Sequence, residues 1–216
     1  MTDVADRLGR VRERIRAAAH RAGRDESDVR LVGATKGVVP SRIAEAVRAG
    51  LEDVGENRAQ DLRDKAGAVP GARWHFLGPL QTNKVRYLDD VVLIHSLCRL
   101  RQAEALQARG ERTGRSWDVL IEVNIAGEST KQGTRPGEVG ELVRALESCP
   151  LVTARGVMIV APQVENHEDV RWVFAEARRL RDDLGFHDLS MGMTDDFEVA
   201  IEEGATIVRI GRAIFH

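Results

Sequence analysis

The sequence predicts an α/β protein built as a TIM-type (β/α)8 barrel, on three observations. Eight apolar, strand-like runs end near Lys36, Glu56, Gly78, Ser96, Asn124, Pro162, Met193 and Ile210, and a helix fits between most neighbours in that series. The legible helices each carry one apolar stripe, which suits a wall packed on a closed sheet. The 216 residues suffice for one large core and no Gly/Ser-rich or Pro-rich linker divides them, so residues 1–216 are expected to form a single barrel domain.

Taken in order, Val4, Leu8, Val11, Ile15, Ala18 and Ala22 recur at spacings of four and three and mark one face of an N-terminal helix, with Gly23 at its stop. Leu31-Val32-Gly33-Ala34-Thr35 is the first strand. Ser41 to Arg48 follows as a helix with Ile43, Ala44 and Val47 on one side and Gly50 after it. Val164 to Leu184 is a later helix, striped by Val170, Val173, Phe174, Ala177 and Leu180. The last strand, Thr206 to Ile210, is followed by six residues, too few for a normal eighth helix. The N-terminal helix is therefore expected to cover the last strand gap. The longest polar stretch after a strand, residues 126–136, is either a lid over the active face or a solvated connection.

A net charge of -2, with charged residues at 31% and spread along both halves, gives no polybasic surface for nucleic acid. No run approaches membrane-spanning length, and the N-terminus carries acids and arginines where a signal peptide needs an apolar stretch. Cys98 and Cys149 show no CxxC or His/Cys metal spacing, which fits a reducing cytoplasm. The expectation is a cytoplasmic monomer that engages neither nucleic acid nor membrane.

The chemistry starts at Lys36, which ends the first apolar run and so points into the mouth of the barrel. An ammonium held near low dielectric is disfavoured relative to the free amine. Lys36 is thus a candidate carbonyl-binding amine; the plain alternative is a rim lysine in a surface salt bridge. At the other end of the sequence, Ser190-Met-Gly-Met-Thr194 and Arg209-Ile-Gly-Arg212 are strand-to-helix junctions. In a barrel these are the loops after strands seven and eight, where barrel enzymes most often bind phosphate. Backbone N–H groups there point at the anion, and Gly192 and Gly211 let it approach, although glycine at a turn is also ordinary punctuation. Together with Lys36 the junctions describe a ligand with a phosphate at one end and a carbonyl at the other. The loop from Gly127 to Gly133 superficially resembles a P-loop, but Lys131 precedes the second glycine instead of following it. His75, His95 and Glu56 are the candidate metal ligands, and without HxH or HExxH spacing no metal site is expected.

The stretches LVGATK, GENRAQDL, WHFLGPLQTNKVRYL, IHSL, VLIEVNIAGESTKQG, ARGVMIVAP and LSMGMTDDFEVAIEEGATIVRIGRAIF resemble the pyridoxal phosphate homeostasis proteins, single-domain relatives of the N-terminal barrel of alanine racemase. The resemblance covers nearly the whole chain after the first helix. It implies a protein that binds pyridoxal 5'-phosphate (PLP), buffers it and hands it to PLP-dependent apoenzymes, supporting vitamin B6 and amino-acid homeostasis. It implies that Lys36 forms an internal aldimine and that the phosphate rests on Ser190, Gly192, Met193, Thr194, Gly211 and Arg212, largely through backbone groups. It also implies that Arg209 faces the pyridine nitrogen; an arginine stays charged and favours an unprotonated ring, a weaker electron sink. The alternative for Arg209 is a barrel-interior arginine paired with an acid such as Glu122. Asn57 and His75, near the ends of strands two and three, can face the ring and its hydroxyl, and His75 is equally read as a hydrogen-bonded wall residue. Three departures from the family pattern stand out: Gly37 after the lysine, Arg58 in place of a frequent aromatic, and an end at His216 directly after Ile-Phe.

Racemisation at Cα uses bases on both faces of the cofactor, and in the racemase the second is a tyrosine brought by a further domain and a partner subunit. The only tyrosine here is Tyr87, in the helix expected after strand three, where packing or a surface position suits it better. Nothing in the sequence supplies a clamp for a substrate carboxylate. The expectation is a carrier with no catalytic residue. The alternatives are a PLP-dependent amino-acid racemase or lyase, and a Schiff-base barrel enzyme acting on a phosphorylated sugar.

Overall fold

The computed structural model describes residues 3–216. Eight strands close into one barrel in chain order: β1 (Arg30–Ala34), β2 (Asp53–Glu56), β3 (Arg73–Phe76), β4 (Val91–Leu97), β5 (Trp117–Val123), β6 (Val152–Ile159), β7 (Asp188–Ser190) and β8 (Ile207–Ile210). Every neighbouring pair is parallel, and β8 closes on β1 with Gly33 opposite Ile210. Parallel pairing requires a crossover between strands. The crossovers carry α2 (Pro40–Arg48, after α1, Val4–Arg21), α3 (Ala59–Ala66), α4 (Leu100–Thr113), α5 (Val139–Ala145), α6 (Arg171–Asp183) and α7 (Phe197–Glu202), with α8 (Arg212–Phe215) after the last strand. Between β3 and β4 the connection is a 3₁₀ segment, Thr82–Tyr87, in place of the expected helix.

α1 covers the gap left by the short α8, lying against α7, α8 and α2. Its buried face is Val4, Leu8, Val11, Ile15, Ala18 and Ala19; Ala19 takes the place expected for Ala22, which is only half-buried at the frayed end. Each large apolar side chain on such a face contributes about 1.5–3 kcal/mol on burial. Arg12 pins the helix by donating to the Gly50 carbonyl at 2.6 Å, and Arg24, just past its end, donates to the Ile201 and Ala205 carbonyls, both at 2.9 Å. The helix expected from Val164 begins later, because Asn166 caps a 3₁₀ turn at His167–Val170 by accepting from the Glu168 N–H.

Alternation along the strands sorts the core into two layers. Outward residues meet the helices in one large apolar cluster, while Val32, Leu93, Leu120, Met158 and Ile207, with Leu77 against them, form a small one inside the barrel. The rest of the barrel interior is polar. Asp53, His75, His95, Ser190 and Arg209 are all buried there.

Candidate functional site

The closed order places β7, β8, β1 and β2 side by side, so the loops after them share one sector of the barrel's C-terminal rim. Lys36 stands two residues past β1, in a turn closed by Val38 N–H to the Thr35 carbonyl, with Gly37 at φ 73°. The side chain is exposed and has no hydrogen-bond or ion-pair partner among the described residues. This differs from the expectation of an amine held in low dielectric, because the strand ends at Ala34 and the chain has already turned outward. What is buried is the base of the turn. Glu56, fully buried, receives Lys65 Nζ at 2.5 Å and the Asn57 N–H at 2.6 Å, with the Thr35 hydroxyl 3.0 Å away. Lys65 also reaches the Thr35 carbonyl at 2.8 Å. Glu56 and Lys65 therefore lock the ends of β1 and β2 together under Lys36.

Gly211 sits against β1 so closely that a Cβ would lie 2.9 Å from the Ala34 carbonyl oxygen. Gly192 has φ 90°, and a Cβ there would lie 2.7 Å from Ala200 Cβ and 2.8 Å from Phe197 Cα. The Gly192 loop thus needs glycine to pack, and Gly211 leaves a side chain little room. The N–H groups of Gly192, Thr194 and Gly211 have no protein acceptor among the described residues. The Met193 N–H does: it donates to Asp196 Oδ1 at 2.6 Å, which removes it from the expected set of free amides. Arg212 is exposed and pairs with Asp195.

Arg209 enters from β8 into the barrel axis. Its Nη1 donates to Ser190 Oγ at 2.6 Å and its Nη2 to the Ile159 carbonyl at 2.9 Å. It forms no ion pair with Glu122; the carboxylate acts on it only at longer range. Burial pushes the guanidinium down to about 10, opposed by the charges of Asp196 and Glu122, so it stays charged at neutral pH. Nε is the one guanidinium nitrogen without a protein partner among the described residues. Burial likewise raises the Glu122 carboxyl, with Arg209 opposing.

His75 lies deeper than the mouth position expected for it. The ring is fully buried, with Nε2 2.9 Å from Asp53 Oδ1 and Nδ1 2.9 Å from His95 Nε2. His95 Nδ1 in turn is 3.0 Å from Ser190 Oγ. Burial lowers both imidazoles, His95 well below the ordinary range. Asn57 remains at the rim, half-buried, its side-chain amide without a protein partner among the described residues. Asp53 and Lys65 are site residues that the sequence reading does not single out, and Glu56, read there only as a candidate metal ligand, instead pairs with Lys65. The one available signal was that Asp53, His75, Ser190 and Arg209 each hold a polar side chain on the face of a strand where an apolar one is the rule.

The 126–136 segment is largely exposed but is tied to the barrel at two points. Thr134 exchanges backbone hydrogen bonds with the end of β5 (Asn124 N–H at 3.0 Å, Glu122 carbonyl at 2.8 Å), and Lys131 donates to the Ala161 carbonyl at 3.0 Å. With Leu77, Glu122 and Val160 it encloses a pocket of about 230 Å³ on the same face. Among the described residues no cluster of three or more His, Cys, Asp or Glu could hold a metal ion, and no helix is long and apolar enough to cross a membrane.

A domain model described as "Alanine racemase, N-terminal domain" matches residues 7–216. The pyridoxal phosphate homeostasis protein of Aquifex aeolicus is 48% identical over 99% of this chain and 97% of its own length; that of Deinococcus radiodurans is 41% identical over 93% and 95%. Among solved structures, PipY of Synechococcus elongatus with PLP bound superposes with a TM-score of 0.84 at 30% identity, covering 99% of this chain and 100% of that one.

Proposed function

Because the chain belongs to the pyridoxal phosphate homeostasis protein family, we propose that it binds PLP at the mouth of its barrel, holds it and passes it to PLP-dependent apoenzymes. One observation carries this reading: a free amine, unpaired loop amides and a guanidinium N–H without an acceptor sit at three contiguous strand ends, those of β7, β8 and β1. The donor set fits the cofactor. When bound, the cofactor supplies an aldehyde carbon that condenses reversibly with primary amines. Lys36 supplies the amine, and its freedom from protein partners leaves the nitrogen available. The Gly192, Thr194 and Gly211 N–H groups hold the phosphate at close range, with the charge of Arg212 nearby. Arg209 offers Nε–H to the pyridine nitrogen and, staying charged, gives the ring no proton. Asn57 is placed for the ring hydroxyl. Met193 contributes position and not its amide, and His75 acts only from behind Ser190.

We read the protein as a carrier acting as a monomer in the reducing cytoplasm, the compartment that two free, buried cysteines, Cys98 and Cys149, fit. Tyr87 lies outside the barrel between α3 and α4, hydrogen-bonded to Arg86 at 2.8 Å, with Arg63 and Lys84 over its ring. It supplies no second base at the mouth. The test is a melting and transfer experiment. PLP at one hundred times its dissociation constant adds about 2.7 kcal/mol to the native state, so the melting temperature should rise, and an added apoenzyme should gain activity from the loaded protein while amino acids alone are not turned over. A flat melting temperature, or sustained amino-acid turnover lost with Lys36→Ala, would overturn the carrier reading.

A further inference from the structure

The buried groups between Asp53 and Arg209 can share their protons in only one direction. A carboxylate accepts and cannot donate, and Asp53 is held as one by Arg73, whose Nε and Nη2 reach its two oxygens at 2.9 and 2.6 Å. Burial acts to raise Asp53, but the hydrogen bonds from His75 and Arg73 outweigh it and keep its carboxyl below the usual range. The His75 nitrogen facing it, Nε2, must therefore carry the proton. A neutral His75 then presents a lone pair at Nδ1, so His95 Nε2 must donate to it. His95 in turn presents a lone pair at Nδ1, and the Ser190 hydroxyl donates there. Only lone pairs remain on Ser190 Oγ, and Arg209 Nη1 donates into one of them at 2.6 Å.

We propose that Asp53, His75 and His95 are positioning residues for the cofactor site: the carboxylate sets both imidazole tautomers, commits the Ser190 proton to His95, and so makes Ser190 the acceptor that aims Arg209. The proposal rests on the reading of the mouth as a PLP site. It has two consequences. Ser190 has no proton to offer a phosphate, and Arg209, tied at Nη1 and at Nη2, is left with an Nε–H that no protein group takes among the described residues. A purely space-filling role would be met by apolar residues like the neighbouring Val32, Leu93 and Leu120; a fully satisfied polar chain instead fixes orientation.

The experiment is side-chain ¹⁵N NMR of the full chain labelled at histidine, without ligand, joined to a PLP titration. The wild type should show both buried imidazoles neutral and protonated at Nε2 at neutral pH. Asp53→Asn can donate to His75, and should invert both tautomers and weaken PLP binding by about tenfold, the size expected for losing one hydrogen bond to a charged group. Ser190→Ala supplies a second variant: it should leave the tautomers unchanged and weaken PLP binding to a similar extent. An Nδ1-protonated or doubly protonated ring in the wild type, or full PLP affinity in both variants, would overturn the chain. A wild type that shows the tautomers but binds no PLP would overturn the site reading instead.

Discussion

Lowering the pH tests the buried histidines without any substitution. His75 and His95 are neutral and enclosed in the folded barrel, their affinity for protons lowered chiefly by burial, whereas in the unfolded chain each takes up a proton near the ordinary value of about 6.5. The unfolded state therefore binds more protons as pH falls, and stability that is fully present above about pH 6.5 is lost below it. With both rings disfavouring the proton in the folded barrel, stability should fall between about pH 7.5 and about pH 5.5, and both rings contribute to the loss. Asp53, whose carboxyl is lowered, adds its own loss only at more acid pH, and Glu122, raised by burial, acts in the opposite sense. The other four histidines are exposed or half-buried. Urea unfolding at a series of pH values gives the free energy directly, and His95→Gln should reduce the slope across this window. A stability that is flat or rising from about pH 7.5 to about pH 5.5 would refute the claim that both imidazoles are held neutral.

Three further outcomes follow from the rim. Lys65→Met leaves the buried Glu56 carboxylate without its cation, so urea unfolding at neutral pH should show a loss of about 3–5 kcal/mol; a loss under about 1 kcal/mol would mean the pair is solvated after all. Gly192→Ala forces a positive φ on a residue whose Cβ meets Ala200 and Phe197 and should cost about 2–4 kcal/mol. Gly211→Ala, with one close carbonyl contact, should cost less and mainly weaken PLP binding, read by fluorescence titration; equal melting shifts for the two would argue against the contact geometry.

Much of the fold was legible because hydrophobic periodicity is local. The strand series, the α1 stripe and the gap under the short α8 all come from spacings within one element. Strand ends were less so. Pro162 and Met193 lie three residues beyond Ile159 and Ser190, where the last ladder bonds form, because the chain stays extended past the sheet. Of the site, the glycine junctions and Lys36 could be read from their positions at strand ends. The contacts that hold them could not. Asp53, His75, His95, Ser190 and Arg209 come from five strands, and only barrel closure brings their inward faces together. Lys65 reaches Glu56 from the far side of α3, a contact that no spacing within one helix announces.

The most direct test of the central claim is where the cofactor attaches. The protein should be loaded with PLP, reduced with borohydride, digested and mapped by mass spectrometry. The account predicts a single stable adduct on Lys36, absent from Lys36→Ala. An adduct on Lys65, Lys84 or Lys131, or one distributed over several surface lysines, would contradict it.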